Sequence, residues 1–560
     1  NATNATSIAL SYFASGMGAW VVYGTTEMGA NPQLSWLGIL GYSIASALPA
    51  IAVCFLGPLF RHQHSSQQAF SISDFGRERF GRLMHLSITL ISVFYMFIFI
   101  VAELTSISNV YAQLTNNFDN TWFGIGVTIV IGFFTLFYTA VGGLPSSIVT
   151  DKFQGVLMAA LVIVLTIAVC ALDENQVTRE EFALASNWTV DGLMAMVTLV
   201  IAVISAEMFN QATWQRVYAA ESDAALRKGF GIGAFLVFLL MMFFGIMGMI
   251  AYAKDPVSYD TFEKYAYLAF FDLLLPLPPG WHVVVLIFIT ALAASSIDSL
   301  QNGLNSVCYR DALKLGCKPH ILATVLVVVV NIPAIYMASK KFEILGLFLV
   351  ADLVCAAAVF PVFLGLQRTD KLGGLLPAPT ELGSFLGIIS GLGSVLVNGH
   401  INGAVGFQYF WLDNGAICSL CGPETMISFI ITPLVGGFFT YVFTHLSLWI
   451  LGTERARRPV FEQCTGDFDK DIDEDAGNGN GNDASLKVKE ILDVDDDAGD
   501  LKNSGKTEQT REEAALPMDS RPTHISDFES QELSQSMLAA QADTNTTKKK
   551  QEDDDDDEKE

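Results

Sequence analysis

Twelve stretches of this chain are apolar over lengths that can cross a hydrocarbon core of about 30 Å. They lie near residues 8–30, 34–58, 83–113, 121–143, 149–172, 189–210, 228–252, 281–308, 320–338, 342–366, 382–398 and 425–451. Inside a bilayer each such run must satisfy its own backbone amides and carbonyls, and a helix does so within one segment. The sequence therefore predicts an all-α polytopic membrane protein with about twelve transmembrane helices. Charge is divided along the same boundary. After residue 451 fall 31 of the 57 acidic and 14 of the 32 basic residues, which puts -17 of the net charge of -25 in the last fifth of the chain. A transmembrane domain over 1–451 and an acidic, disordered tail over 452–560 are expected, because the tail has too little apolar surface to bury and its like charges repel.

With the start of segment 1 inside, the cytoplasmic loops collect thirteen bases, Arg61, Arg77, Arg79, Arg82, Lys152, Arg216, Arg227, Lys228, Arg310, Lys314, Lys318, Arg368 and Lys371, against five outside. That asymmetry sets the orientation and places the tail in the cytoplasm. Asn187-Trp188-Thr189, in a loop assigned to the outside, is expected to be a glycosylation site at Asn187. The sequons at Asn1 and Asn4 fall inside and should be silent. Cys54, Cys170, Cys308 and Cys355 read as small packing residues in or beside apolar segments. Cys418 and Cys421 suit a local disulfide more than a zinc site, which would need a second ligand pair.

Polar groups at membrane depth carry the chemistry. Segment 8 contains Ala293-Ala294-Ser295-Ser296-Ile297-Asp298-Ser299, with Ser295 roughly 20 Å from the start of the helix. Two hydroxyls offer hard oxygens to a desolvated sodium ion, although serines also bond to their own helix backbone. Asp298 is harder to dismiss, since an unpaired carboxylate there costs at least about 2.5 kcal/mol. Segment 1 contains Ala14-Ser15-Gly16-Met17-Gly18-Ala19-Trp20. Gly16 and Gly18 permit a helix break that frees carbonyls for an ion, or else close helix packing through small residues.

The joint between segments 4 and 5 reads Tyr138-Thr139-Ala140-Val141-Gly142-Gly143, then Thr150-Asp151-Lys152-Phe153-Gln154. This pattern resembles the YTxxGGxxxxxxTDxxQ signature of the sodium:solute symporter family, whose members include sodium-coupled proline, sugar, choline and urea transporters. Asn210-Gln211 with Gln215-Arg216-Val217 resembles the family's sixth core helix, and Ser295-Ser296-Ile297-Asp298-Ser299 with Tyr309-Arg310-Asp311 resembles its eighth. The resemblance covers most of residues 8–451.

It implies a five-plus-five inverted-repeat (LeuT-type) transporter core, with repeats over about 8–172 and 189–366, discontinuous first and sixth helices, and extra helices at 382–398 and 425–451. It further implies a sodium site of the Ala14, Met17 and Leu292 carbonyls with the Ser295 and Ser296 hydroxyls, and Asp151 on the ion's inner exit path. On electrostatics alone Asp151 reads equally as a surface charge beside Lys152. Most members carry a further helix ahead of the first core helix, so a segment missing upstream is expected.

Candidates to meet the solute are Ser15, Trp20, Tyr23, Glu103, Asn210, Gln211, Asp298 and Asp352. Glu27 and Glu103 read equally as carboxylates at the outer interface or paired between helices. Gly16 stands where proline-type members have an aspartate, and Ala212-Thr213 where sugar-type members have a tyrosine, which turns the expectation from proline and sugar. The aromatic and acidic candidates, with Thr213-Trp214-Gln215 before Ala219-Ala220, turn it toward urea, with choline or an amino acid next. The expected function is sodium-coupled symport of a small polar organic solute by alternating access in the plasma membrane, with no cofactor. One inward sodium at 100 mV carries about 2.3 kcal/mol, enough for roughly 50-fold accumulation of a neutral solute.

Protons replace sodium in the alternative expectation, provided Asp298 or Asp352 titrates. A nutrient sensor signalling through the acidic tail, with cytosolic partners, is another, and deletion of 456–560 separates it from a transporter that keeps uptake. The chain offers no nucleophile and base pair or metal cluster that would suit an enzyme, and no nucleic-acid partner is expected.

Overall fold

The computed structural model describes residues 3–63, 71–117, 120–261, 263–307, 319–339, 344–403, 420 and 422–458. The chain divides into two units, 1–475 and 476–560. The expectations for the tail from 459 onward, for Asn1, Cys308, Tyr309-Arg310-Asp311, Lys314, Lys318 and the Cys418–Cys421 pair lie outside the described residues.

The first unit is helical. Its first repeat holds α1 (Ala5–Gly16), α2 (Ala19–Ala30), α3 (Ser35–Gln63), α4 (Ile72–Arg79), α5 (Arg82–Leu114) and α6 (Thr121–Cys170). After α7 (Arg179–Ala185) come α8 (Val190–Glu207), α9 (Gln211–Ala219), α10 (Asp223–Lys254), α11 (Pro256–Asp260), α12 (Ala269–Asp272), α13 (Pro279–Val307), α14 (Pro319–Ala338) and α15 (Ile344–Phe363). The last two are α16 (Glu381–Ile401) and α17 (Pro423–Ala456), which pack on each other and on α15.

Among the described residues nine helices are long and apolar enough to cross a membrane, and α1 with α2, bent by 66°, makes a tenth span. Shorter apolar stretches, Trp122–Phe137 in α6 and Val327–Ala338 in α14, fall on the predicted fourth and ninth segments. The backbone stays helical from Thr121 to Cys170 where the sequence predicts an interruption between segments 4 and 5. Gly142 and Gly143 lower helix propensity there and Pro145 brings no amide donor, yet the helix runs on through them.

Two spans are broken, one opening each repeat. In the first, α1 ends with the Met17 amide on the Phe13 carbonyl, Gly18 is extended, and α2 restarts with Val21 on Gly18. In the second, the chain leaves the helix between Glu207 and Gln211, where the Asn210 side chain accepts from Ala212 and caps α9. The glycines divide their labour between breaking and packing. A Cβ on Gly29 or Gly248 would meet the backbone of the facing helix, so these two let α2 and α10 touch main chain to main chain.

The short α4 joins α3 to α5, and Arg79 fastens it by donating to the carbonyls of Gly365 (2.6 Å), Gln367 (3.0 Å) and Pro379 (3.2 Å). Burial, with Arg368 and Arg457 nearby, brings the Arg79 guanidinium down to about 10. Cys355 is buried as expected, whereas Cys54 is half-buried and Cys170 is exposed at the end of α6. Asn187 stands exposed in the loop between α7 and α8, and its amide donates to the Leu184 carbonyl.

Candidate functional site: a broken helix, a serine pair and an acidic aromatic cavity

Helix ends leave their last carbonyls outside the ladder, so the break after α1 releases those of Ala14, Ser15, Gly16 and Met17 at the depth where α1 packs on α13. Ser295 and Ser296 are both buried on α13. The Ser295 hydroxyl donates to Asp151 Oδ1 at 2.9 Å, which leaves its oxygen lone pairs to accept a cation. Leu292 lies inside the unbroken α13, so its carbonyl can reach an ion only with its second lone pair.

Asp151 is fully buried, which removes the surface-charge reading. Its Oδ2 accepts from Ser11 at 2.7 Å and pairs with Arg216 Nη2 at 2.8 Å. Arg216 also donates to the Ser11 and Ser299 hydroxyls and to the Ala212 carbonyl. The sequence counts Arg216 among the cytoplasmic loop bases, and this is corrected: it is 2% exposed and lies within α9. Four elements, α1, α6, α9 and α13, thus meet in one charged network directly beside the serine pair.

A cavity opens on the other side of the α1–α2 break. Trp20, Tyr42, Tyr95, Phe99 and Phe348 line it, together with the carboxylates of Glu207 and Asp352. The rings form a box: Trp20 stands 5.9 Å from Tyr42 and 5.8 Å from Phe348, and Phe99 stands 4.4 Å from Phe348. Tyr95 donates to Glu207 Oε1 at 2.6 Å, and Asn210 donates to Glu207 Oε2 at 3.1 Å. Asp352 keeps one oxygen without a hydrogen bond among the described residues. The box presents ring faces and two carboxyl groups together, a combination that suits a cation.

Of the eight residues expected to meet the solute, Trp20 and Asp352 line this cavity, and Asn210 touches it only through Glu207. The others point elsewhere. Asp298 accepts from Thr139 (2.7 Å) and Asn302 (3.0 Å), which directs it at α6, and α13 contributes nothing to the cavity. Gln211 is spent on Ser73, Ser92 and the Ile72 amide. Ser15 bonds back to the Tyr12 carbonyl. Tyr23 donates to the Ser106 carbonyl and stacks on Tyr267. Glu103 lies at the break, where its Oε2 accepts from the Ala19 amide at 2.8 Å.

Tyr42, Tyr95 and Glu207 are missed from the sequence. Glu207 carried a usable signal, as an acid at the end of an apolar run just before a capping asparagine. The tyrosines carried none, being ordinary aromatics on apolar helices. Among the described residues no three His, Cys, Asp or Glu gather as a metal site.

The comparisons agree with this architecture. A spermidine transporter of Candida albicans (DUR31) is 29% identical over 389 residues, covering 68% of this chain and 71% of that protein. A sodium-coupled sialic acid symporter in a substrate-bound outward-open state matches with a TM-score of 0.59 at 17% identity, over 79% of this chain and 90% of that one. The nucleobase-cation-symport-1 family transporter Mhp1, closed with bromovinylhydantoin bound, matches at 0.52 and 13% identity, over 80% and 92%. MhsT in complex with L-phenylalanine matches at 0.52 and 15%, over 77% and 98%. At such identities these structures show the LeuT-type fold alone. The model of the sodium:solute symporter family matches residues 3–373. This chain belongs to the sodium:solute symporter family and is a secondary active transporter rather than an enzyme.

Proposed function

We propose that the protein couples the inward movement of sodium to uptake of an organic amine cation, a polyamine first, by alternating access. The observation that carries this is the pair of carboxylates, Glu207 and Asp352, in a box of five aromatic rings. A neutral solute such as urea has no use for two buried negative charges, which cost more than they return until a cation arrives. An ammonium group gains from both ring faces and carboxylates. The relative named as a spermidine transporter supports the same class. Sodium is assigned to the Ala14 and Met17 carbonyls and the Ser295 and Ser296 hydroxyls, with Asp151 beside its inward path. Plasma-membrane residence, a cytoplasmic tail and glycosylation at Asn187 belong to this reading, and its orientation is supported by twelve bases against five once Arg216 is set aside.

The test is uptake by proteoliposomes holding the purified protein, with spermidine, putrescine, choline and urea offered under an imposed sodium or proton gradient. Sodium-driven accumulation of the amines is expected, and Asp352→Asn should raise the KM for spermidine by about tenfold or more through loss of one buried charge contact. Accumulation of urea alone, with Asp352→Asn unaltered, overturns the reading. Uptake driven by a proton gradient and indifferent to sodium removes the sodium assignment.

A further inference from the structure

The break between α1 and α2 exposes the amino end of a twelve-residue helix inside the membrane. Such an end carries unpaired amides and a partial positive charge, and it binds anions. In inverted-repeat transporters the amino ends of broken helices point at the anionic group of a solute. Here the position is taken by the protein itself. Glu103 of α5 is fully buried, and its Oε2 accepts from the Ala19 amide, the first residue of α2. A Cβ at Gly18 would fall inside the Glu103 carboxylate, so the missing side chain is what lets the acid reach the helix end.

A second feature is that the helix end does not use up the whole carboxylate. Glu103 Oε1 has no hydrogen bond of ordinary length, the Ser296 hydroxyl and the Trp20 amide lie beside the carboxylate, and no Lys, Arg or His pairs with Glu103 among the described residues. Trp20, one residue beyond the capped amide, lines the solute cavity.

We propose that Glu103 is a built-in anion that sets solute specificity. It occupies the helix end that would otherwise receive a solute carboxylate, so a carboxylate-bearing amine meets both a filled site and a like charge. An amine without a carboxylate meets a further negative charge in its favour. This inference rests on the reading of the solute as an organic amine, and it excludes amino acids from the solutes considered above.

Putrescine and ornithine test it, because they differ only by a carboxylate. Inhibition of labelled putrescine uptake would be measured for both in wild type, Glu103→Gln and Glu103→Gly. In wild type, ornithine should be at least about tenfold weaker than putrescine. Glu103→Gly should narrow that ratio about tenfold or more by emptying the helix end, and Glu103→Gln, which removes the charge and keeps the bulk, should narrow it less.

A readout without solute accompanies this. The melting temperature of purified, monodisperse Glu103→Gly should rise with added formate, which can refill the helix end, and not with formamide, while wild type should respond to neither. Equal inhibition by the two amines in wild type, an unchanged ratio in Glu103→Gly, or the absence of a formate response each overturns the proposal. If wild type takes up no amine at all, the functional reading fails, and the formate response alone then decides whether Glu103 is the helix-end anion.

Discussion

Ser295 donates a hydrogen bond to Asp151 and keeps its lone pairs free, so one hydroxyl can join the charged network to the proposed ion position. The neighbouring Asp151–Arg216 pair has a different energetic standing. Both side chains are buried, and removing one partner leaves an uncompensated charge worth about 3–5 kcal/mol. The two therefore separate by experiment. Ser295→Ala with Ser296→Ala should weaken sodium binding by at least about 100-fold, since about 1.5–3 kcal/mol is lost for each of the two oxygens withdrawn from a charge, while the melting temperature falls little. Asp151→Asn should lower the melting temperature first, because Arg216 loses its counter-ion. Labelled-sodium binding together with thermal melting distinguishes them, and unchanged sodium affinity in the double serine variant would remove the ion assignment. Ser295 and Ser296 stood out in the sequence through their resemblance to the family's eighth helix and not as hydroxyls alone, since buried hydroxyls recur along these spans, as at Ser92, Thr105, Ser106 and Thr128. The direction of Asp298 was not legible, since an acid on an apolar helix can face any neighbour, and here Thr139 and Asn302 decide it.

At the scale of elements, the spans were legible through length and hydropathy, and their breaks only in part. Gly16 and Gly18 marked the first break, yet Gly16 remains helical with open space around it, and the turn falls at Met17 and Gly18, where Glu103 replaces the lost backbone partner of Ala19. The second break was signalled by Asn210, an ordinary capping residue, which a reading centred on solute contacts assigned to the solute.

The outer joint between α10 and α13 carries a pH dependence of its own. Asp272 accepts from Tyr259 at 2.7 Å and from Gln113 at 2.8 Å, tying α12 to α11 and to the end of α5. Burial holds its carboxyl above the ordinary aspartate value, and the two hydrogen bonds pull only partly the other way. Between the unfolded and folded values the folded protein binds the additional proton, so the joint loses stability as pH rises through that window and regains it as pH falls. Asp272→Asn cannot titrate. The melting temperature of wild type relative to Asp272→Asn should therefore increase on acidification from neutral pH down to the ordinary aspartate value of about 4, and a difference that stays constant or shrinks over that range would contradict the raised carboxyl.

For the whole molecule the decisive quantity is the charge moved per cycle. Each charge crossing 100 mV carries about 2.3 kcal/mol, or roughly 50-fold in concentration. A neutral solute travelling with one sodium moves one charge, whereas a doubly charged diamine with one sodium moves three. Glu207 and Asp352 line the cavity and would offset the solute's charge in the loaded carrier, while the charge moved per cycle stays that of the sodium and the solute. Proteoliposomes clamped by a potassium diffusion potential, at a constant sodium gradient, read the difference directly. Steady-state putrescine accumulation should fall by far more than 50-fold when an inside-negative potential of about 100 mV is abolished, and by only about that factor if a single net charge moves. The same liposomes should show an inward current on addition of putrescine. A voltage dependence equal to one charge would mean that solute and coupling ion together carry one net charge per cycle, because the buried carboxylates return with the empty carrier and cancel, and co-transport of a dication with sodium would then be ruled out.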